Sequence, residues 1–82
     1  MKLTVLYFAA VRDLVGTSEE ALVVPDDVTS IGALAGHLAS RYPALGERLS
    51  AVRFARNETF VTADEPVASG DVIAVIPPVA GG

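Results

Sequence analysis

Asp26-Asp27-Val28-Thr29-Ser30-Ile31-Gly32-Ala33-Leu34-Ala35-Gly36-His37-Leu38-Ala39-Ser40-Arg41-Tyr42-Pro43 is the stretch on which the fold turns. It opens with two acids and a hydroxyl, which suit the positive end of a helix dipole and an N-cap. Ile31, Leu34, Ala35, Leu38 and Tyr42 then form one apolar stripe at the helical period. Arg41 puts a cation in the last turn and Pro43 ends the pattern. Gly32 and Gly36 each weaken such a helix by about 1 kcal/mol relative to Ala, so packing against the rest of the chain must hold it. The spacing predicts one long helix, and most of what flanks it reads as strand.

Towards the N-terminus, residues 19–25 form a strand that Pro25 stops, and residues 10–18, ending in Gly16-Thr17-Ser18, read as a connection. Residues 2–9 are β-branched and aromatic enough for another strand. Its apolar residues fall on both alternating sets, with Leu3, Val5 and Tyr7 opposite Leu6 and Phe8, so both faces need cover. Beyond the helix, a loop or single turn runs through Leu49, and three short strands follow at about residues 51–56, 59–63 and 71–76. Asn57-Glu58 suits a tight hairpin, because Asn tolerates positive φ. Asp64-Glu65-Pro66 and Ser69-Gly70-Asp71 carry turn chemistry. The order β-β-α-β-β-β is that of an α+β domain over residues 1–76, followed by a tail over 77–82. One helix covers one face of the sheet, so the other face meets water or another protein.

The chain has 82 residues, 51% of them hydrophobic, with no Cys and a net charge of −4. This size suits one domain and disfavours a deep cleft walled by its own residues. The absence of Cys excludes a disulfide framework, a cysteine zinc site and a thiol nucleophile. Ten acids against six bases, without a basic cluster, argue against nucleic acid or an anionic membrane as partner. The apolar opening from Met1 to Val11 has the length of a signal peptide, but Arg12 and Asp13 interrupt it at once and no cleavage motif follows. No other apolar run approaches a membrane span, and the expected location is the cytoplasm.

Catalytic constellations are scarce. His37 is the one histidine and lies off the apolar stripe, which suits a solvated side chain better than a ligand or base. The pairs Glu19-Glu20, Asp26-Asp27 and Asp64-Glu65 sit at strand ends and in turns, where carboxylates are usually solvated. No phosphate-binding glycine motif is present.

The terminal run Ile76-Pro77-Pro78-Val79-Ala80-Gly81-Gly82 is different. Pro77-Pro78 stops the last strand and stiffens an extended exit. Six residues of about 3.3 Å each span roughly 20 Å. Gly81 and Gly82 make a thread thin enough for a narrow tunnel, with the Gly82 carboxylate at its tip. That group, with an ordinary pKa near 3.5, is a poor electrophile and needs activation, most simply as an acyl-adenylate formed by a partner that uses ATP and magnesium. A sulfur nucleophile that displaces AMP then leaves a thiocarboxylate.

Phe8-Ala9-Ala10-Val11-Arg12-Asp13-Leu14-Val15-Gly16, together with the segment from Gly70 to Gly82, resembles the small, sulfur-carrier subunits of molybdopterin synthase. The resemblance covers essentially the whole chain and implies a β-grasp, ubiquitin-like fold, a mixed sheet with one main helix on one face and a flexible Gly-Gly tail. It implies that an E1-like adenylyltransferase activates Gly82 and that a sulfurtransferase system converts it to the thiocarboxylate. Pro77, Pro78, Val79, Ala80 and Gly81 would carry Gly82 into the large catalytic subunit, where sulfur passes to a cyclic pyranopterin precursor. The chain itself would bind no cofactor, and the assembly would be a heterotetramer of two small and two large chains. The partner-facing residues of the family map to Phe8, Phe60 and Ile76; the competing reading places all three in the core. Ile76 stands where some relatives have an aromatic residue, which implies a weaker contact there. Three rivals share the fold: a thiamine-pathway sulfur carrier, a ubiquitin-like modifier conjugated through Gly82, and a β-grasp interaction module with an inert tail.

Overall fold

The computed structural model describes residues 1–78. Five strands, β1 (Lys2–Tyr7), β2 (Glu19–Val23), β3 (Arg53–Arg56), β4 (Thr59–Val61) and β5 (Val72–Ile76), form one sheet in the order β2-β1-β5-β3-β4. The central pair β1 and β5 is parallel, with Thr4 opposite Val72 and Tyr7 opposite Val75; every other pairing is antiparallel. The last strand in sequence is therefore the middle of the sheet, and its C-terminal end emerges beside the end of β1.

The predicted long helix is present as α2 (Ile31–Arg41). The Ser30 side chain caps it by accepting from the Ala33 N–H, while Glu65 and Ala63 carbonyls accept from Ile31 and Gly32. Its N-terminal donors are thus met by the chain itself. Ile31, Leu34 and Leu38 bury the expected stripe against Leu3, Val5, Tyr7, Ile73 and Val75 from the sheet. Strand alternation is followed: Leu3, Val5 and Tyr7 are buried, while Leu6 and Phe8 lie on the face away from α2.

One segment departs from the sequence reading, and the expected loop or single turn after α2 is a turn. Residues 10–18 are not simply a connection, because Ala9–Val15 form a short helix, α1, closed by Gly16 at φ 91°. Only Val11 of α1 is buried, and neither a side-chain cap nor a first-turn acid announces the helix, so no apolar stripe marks it. The run before Leu49 contains a single turn, α3 (Pro43–Gly46), and a 3-10 turn follows at Leu49–Ala51. Leu45 of α3 is fully buried in the core. The Asn57-Glu58 hairpin is as expected, with both residues at positive φ, 49° and 72°.

Glu20 is the other surprise. The pair Glu19-Glu20 reads as solvated, yet strand alternation turns Glu20 towards α2 while Glu19 stays exposed. The Glu20 carboxylate accepts from the Tyr7 hydroxyl at 2.6 Å, the Tyr42 hydroxyl at 2.8 Å and the Arg41 guanidinium at 3.4 Å. Tyr7 and Tyr42 also meet edge to face with centroids 6.1 Å apart. Burial works to raise the Glu20 pKa, but the two phenolic hydrogen bonds and the Arg41 charge outweigh it and hold the carboxyl below its ordinary value. Burial, followed by the hydrogen bond to Glu20 and its charge, pushes the Tyr7 phenol above its ordinary range.

Candidate functional site

The sheet face opposite α2 carries the candidate site. Register places Leu6, Ala74, Ala55 and Phe60 in one row across β1, β5, β3 and β4. Alanines occupy the two central positions, so the row has a low floor between larger side chains. The result is an apolar trough of about 540 Å³, lined by Leu6, Phe8, Phe60, Val72, Ala74 and Ile76 among others. Phe8 is 46% exposed and Phe60 54%, so neither belongs to the core. Ile76 is half-buried, one register step beyond the Tyr7–Val75 pair, and the Phe8 N–H donates to the Val75 carbonyl at 3.2 Å. Phe8, Phe60 and Ile76 all line this trough.

A second apolar groove, of about 560 Å³, lies round the corner between α1, the 3-10 turn and the end of β5. Phe8 and Ile76 line both concavities and so form the ridge between them, while Pro77 and Pro78 line only the second. The described chain thus ends at Pro78 along a groove of Ala10, Leu14 and Val52, with Arg48 as its one charged residue. Val79, Ala80, Gly81 and Gly82, predicted to carry and present the reactive carboxyl, lie outside the described residues.

Several contributors were not read from the sequence. Arg53, paired with Ile76 across β3 and β5, stacks its guanidinium 4.1 Å from the Phe60 ring centroid. Ala9 sits at φ 48°, a region that L-residues adopt reluctantly, immediately after Phe8. Asn57 does more than turn the hairpin: its Oδ1 accepts from the Val72 N–H and its Nδ2 donates to Asp71, which pins the start of β5. Composition and spacing signal none of the side-chain stacking; only the hairpin position of Asn57 is visible beforehand. Among the described residues, no cluster of three or more His, Asp or Glu side chains is placed to hold a metal ion. His37, half-buried on α2, is away from both grooves.

Comparison with known proteins matches residues 5–82 to the ThiS family model. The chain belongs to the ThiS family. Among curated relatives of this family member, the molybdopterin synthase sulfur carrier subunit of Escherichia coli is 41% identical, over 95% of this chain and 96% of the relative. SAMP1 from Haloferax volcanii, a solved structure, shares 26% identity and superposes with a TM-score of 0.86 over the whole of both chains. A structure of subunits 1 and 2 of the Helicobacter pylori molybdopterin-converting factor contains a chain of the same fold, with 23% identity, a TM-score of 0.70 and 100% of both chains covered. These likenesses establish the ubiquitin-like β-grasp architecture, α+β with a mixed five-stranded sheet.

Proposed function

We propose that this ThiS-family chain is the sulfur carrier of molybdenum cofactor biosynthesis, the small subunit of a molybdopterin synthase acting in the cytoplasm. The observation that carries this reading is the exposed apolar face of Phe8, Phe60 and Ile76, placed where β5 leads into the Pro77-Pro78 exit. A large catalytic subunit that covers this face receives the tail at a fixed position. Docking of an apolar trough supplies the binding energy, and the narrow tail reaches the chemistry.

In this scheme an E1-like adenylyltransferase, using ATP and magnesium, converts the Gly82 carboxylate to an acyl-adenylate. A sulfurtransferase system supplies the sulfur that displaces AMP, leaving the thiocarboxylate. The sulfur then passes to the cyclic pyranopterin precursor in the large subunit, and two such transfers build the dithiolene. The chain is a co-substrate that binds no cofactor; its residues bind the partner and present the carbonyl.

The structural likeness to SAMP1, named small archaeal modifier protein 1, supports a second reading, in which Gly82 is joined to target amines. Intact mass spectrometry separates the two. Chain co-expressed with its adenylyltransferase and sulfur donor should gain the mass difference between sulfur and oxygen, localised to Gly82. Higher-mass conjugates with no thiocarboxylate would favour the modifier, and an unchanged mass would leave only an interaction module.

A further inference from the structure

The six basic residues of this chain are Lys2, Arg12, Arg41, Arg48, Arg53 and Arg56. Two of them are committed within the fold. Arg41 donates to Glu20 and Tyr42, and Arg56 donates to the Pro66 carbonyl and pairs with Glu65 at 3.6 Å. Arg53 is different. It is exposed at the start of β3, opposite Ile76 and on the same face, with its guanidinium carbon 4.1 Å from the Phe60 ring centroid. Among the described residues it has no ion-pair partner, and its side chain makes no hydrogen bond.

The ring that holds Arg53 belongs to the trough. Phe60 and Ile76 both line it, and Arg53 stacks on one and pairs with the other, so its charge sits on the rim at the Phe8 end. Glu58 lines the opposite end, next to Asn57, whose N–H donates to the Val72 carbonyl. From Arg53 to Asn57 is four residues of strand, about 13 Å. Between these charges the floor is apolar. Apolar contact is non-directional, so a partner held by it alone is free to seat in several rotations. A cation at one end and an anion at the other select one of them.

We propose that Arg53 is a specificity-determining residue of the docking face, taking a carboxylate that borders the apolar contact surface of the large subunit. The proposal rests on the docking role given above to the face of Phe8, Phe60 and Ile76. Stacking on the ring engages the guanidinium charge but leaves its N–H donors without acceptors, and a carboxylate takes two of them side by side. Held against Phe60, the side chain has less freedom to lose when that acceptor arrives. The partner surface is thereby specified as apolar at its centre and acidic at the Phe8 end. A basic group at that place would meet Arg53 as a like charge and be rejected.

The test measures the Kd of the full chain for the large subunit of the same organism by calorimetry, at about 0.05 M and about 0.5 M salt. Wild type is compared with Arg53→Gln, Arg53→Glu and Lys2→Gln. Lys2 pairs with Val23 and lies outside the trough, so its variant removes the same charge away from the proposed contact. At the lower salt Arg53→Gln should bind about tenfold more weakly or worse, as expected for a lost charge-assisted pair, and Arg53→Glu more weakly still. Both gaps should narrow at the higher salt, while Lys2→Gln should stay within about twofold of wild type throughout. Urea midpoints of the free chains should stay together, because the Arg53 side chain is exposed. The proposal is overturned if Arg53→Gln binds like wild type, if its loss is undiminished at the higher salt, or if Lys2→Gln loses as much. Failure of the docking reading itself shows differently: wild type then binds no large subunit, or binds it unchanged after Phe8→Glu and Phe60→Ala.

Discussion

The Tyr7 hydroxyl reaches Glu20 across 2.6 Å on the helix side of the sheet, while its neighbour Phe8 stands on the opposite side, 46% exposed. One peptide therefore joins a buried anchor to a docking residue. Tyr7, Tyr42 and Arg41 bring the end of β1, the C-terminal end of α2 and β2 to one carboxylate. Whatever loosens Glu20 loosens the base from which Phe8 projects.

Acid stability should report this directly. The Glu20 pKa is lower in the folded chain than its ordinary value, so the folded state binds fewer protons. Its stabilisation is therefore fully present above the unfolded value, about 4.3, and is lost as pH falls through the folded value. Glu20→Gln should lose about 1.5–3 kcal/mol at pH 7, the range for hydrogen bonds to a charged group. Urea midpoints should show the gap between wild type and variant closing below pH 4.

Docking should separate from folding at Phe8 and Phe60. Both are about half exposed, so Phe8→Glu and Phe60→Ala should keep the circular dichroism spectrum and urea midpoint of wild type. Each should weaken binding to the large subunit by about 2 kcal/mol or more, roughly thirtyfold in Kd, as expected for aromatic residues at the centre of an interface. Loss of fold in Phe8→Glu would place that ring in the core after all.

The two glycines of α2 should behave differently. A methyl group at Gly36 meets open space, so Gly36→Ala should raise stability by about 1 kcal/mol through helix propensity alone. At Gly32 the same methyl would lie 3.2 Å from the Ala63 carbonyl oxygen, which already accepts from the Gly32 N–H at 2.8 Å. Gly32→Ala should show little or none of that gain. Thermal unfolding of the two variants checks the contrast.

The β3–β4 hairpin offers a pair of opposed changes. Glu58 holds φ 72°, where glycine is at ease, so Glu58→Gly should stabilise by about 0.5–1 kcal/mol. Asn57→Ala should cost about 0.5–1.5 kcal/mol, because it removes the Asn57 Oδ1 acceptor of the Val72 N–H and the bond to Asp71, both at the solvent-exposed hairpin. Urea denaturation should move in opposite directions for the two variants.

Much of this architecture was visible in the residues. The stripe from Ile31 to Tyr42 is long enough for its period to be unambiguous, and the alternation in β1 already put Phe8 opposite Tyr7. Asn57-Glu58 announced its turn through the conformational tolerance of Asn. Helix α1 was not legible, because seven residues with one buried side chain contain too little periodicity to stand apart from a loop. The groove at Arg48 was hidden for another reason. Its walls come from α1, the 3-10 turn and β5, which are far apart in sequence and meet only through tertiary packing. Glu20 could be assigned its side of β2 by alternation, but its three donors come from β1 and α2, and a sequence pattern carries no record of such a meeting.

The position of β5 in the middle of the sheet has a consequence for the chain during its synthesis. β1 finds its parallel neighbour, and β3 its inner one, only in the last strand to be made. A nascent chain that still holds Val72–Ile76 on the ribosome has two half-sheets with open inner edges and lacks Ile73 and Val75 from its core. Closing such distant pairings is slow and leaves those edges open meanwhile. Copies that stop before Val72 lack the strand on which both inner edges pair and should be cleaved by an added protease faster than the full chain.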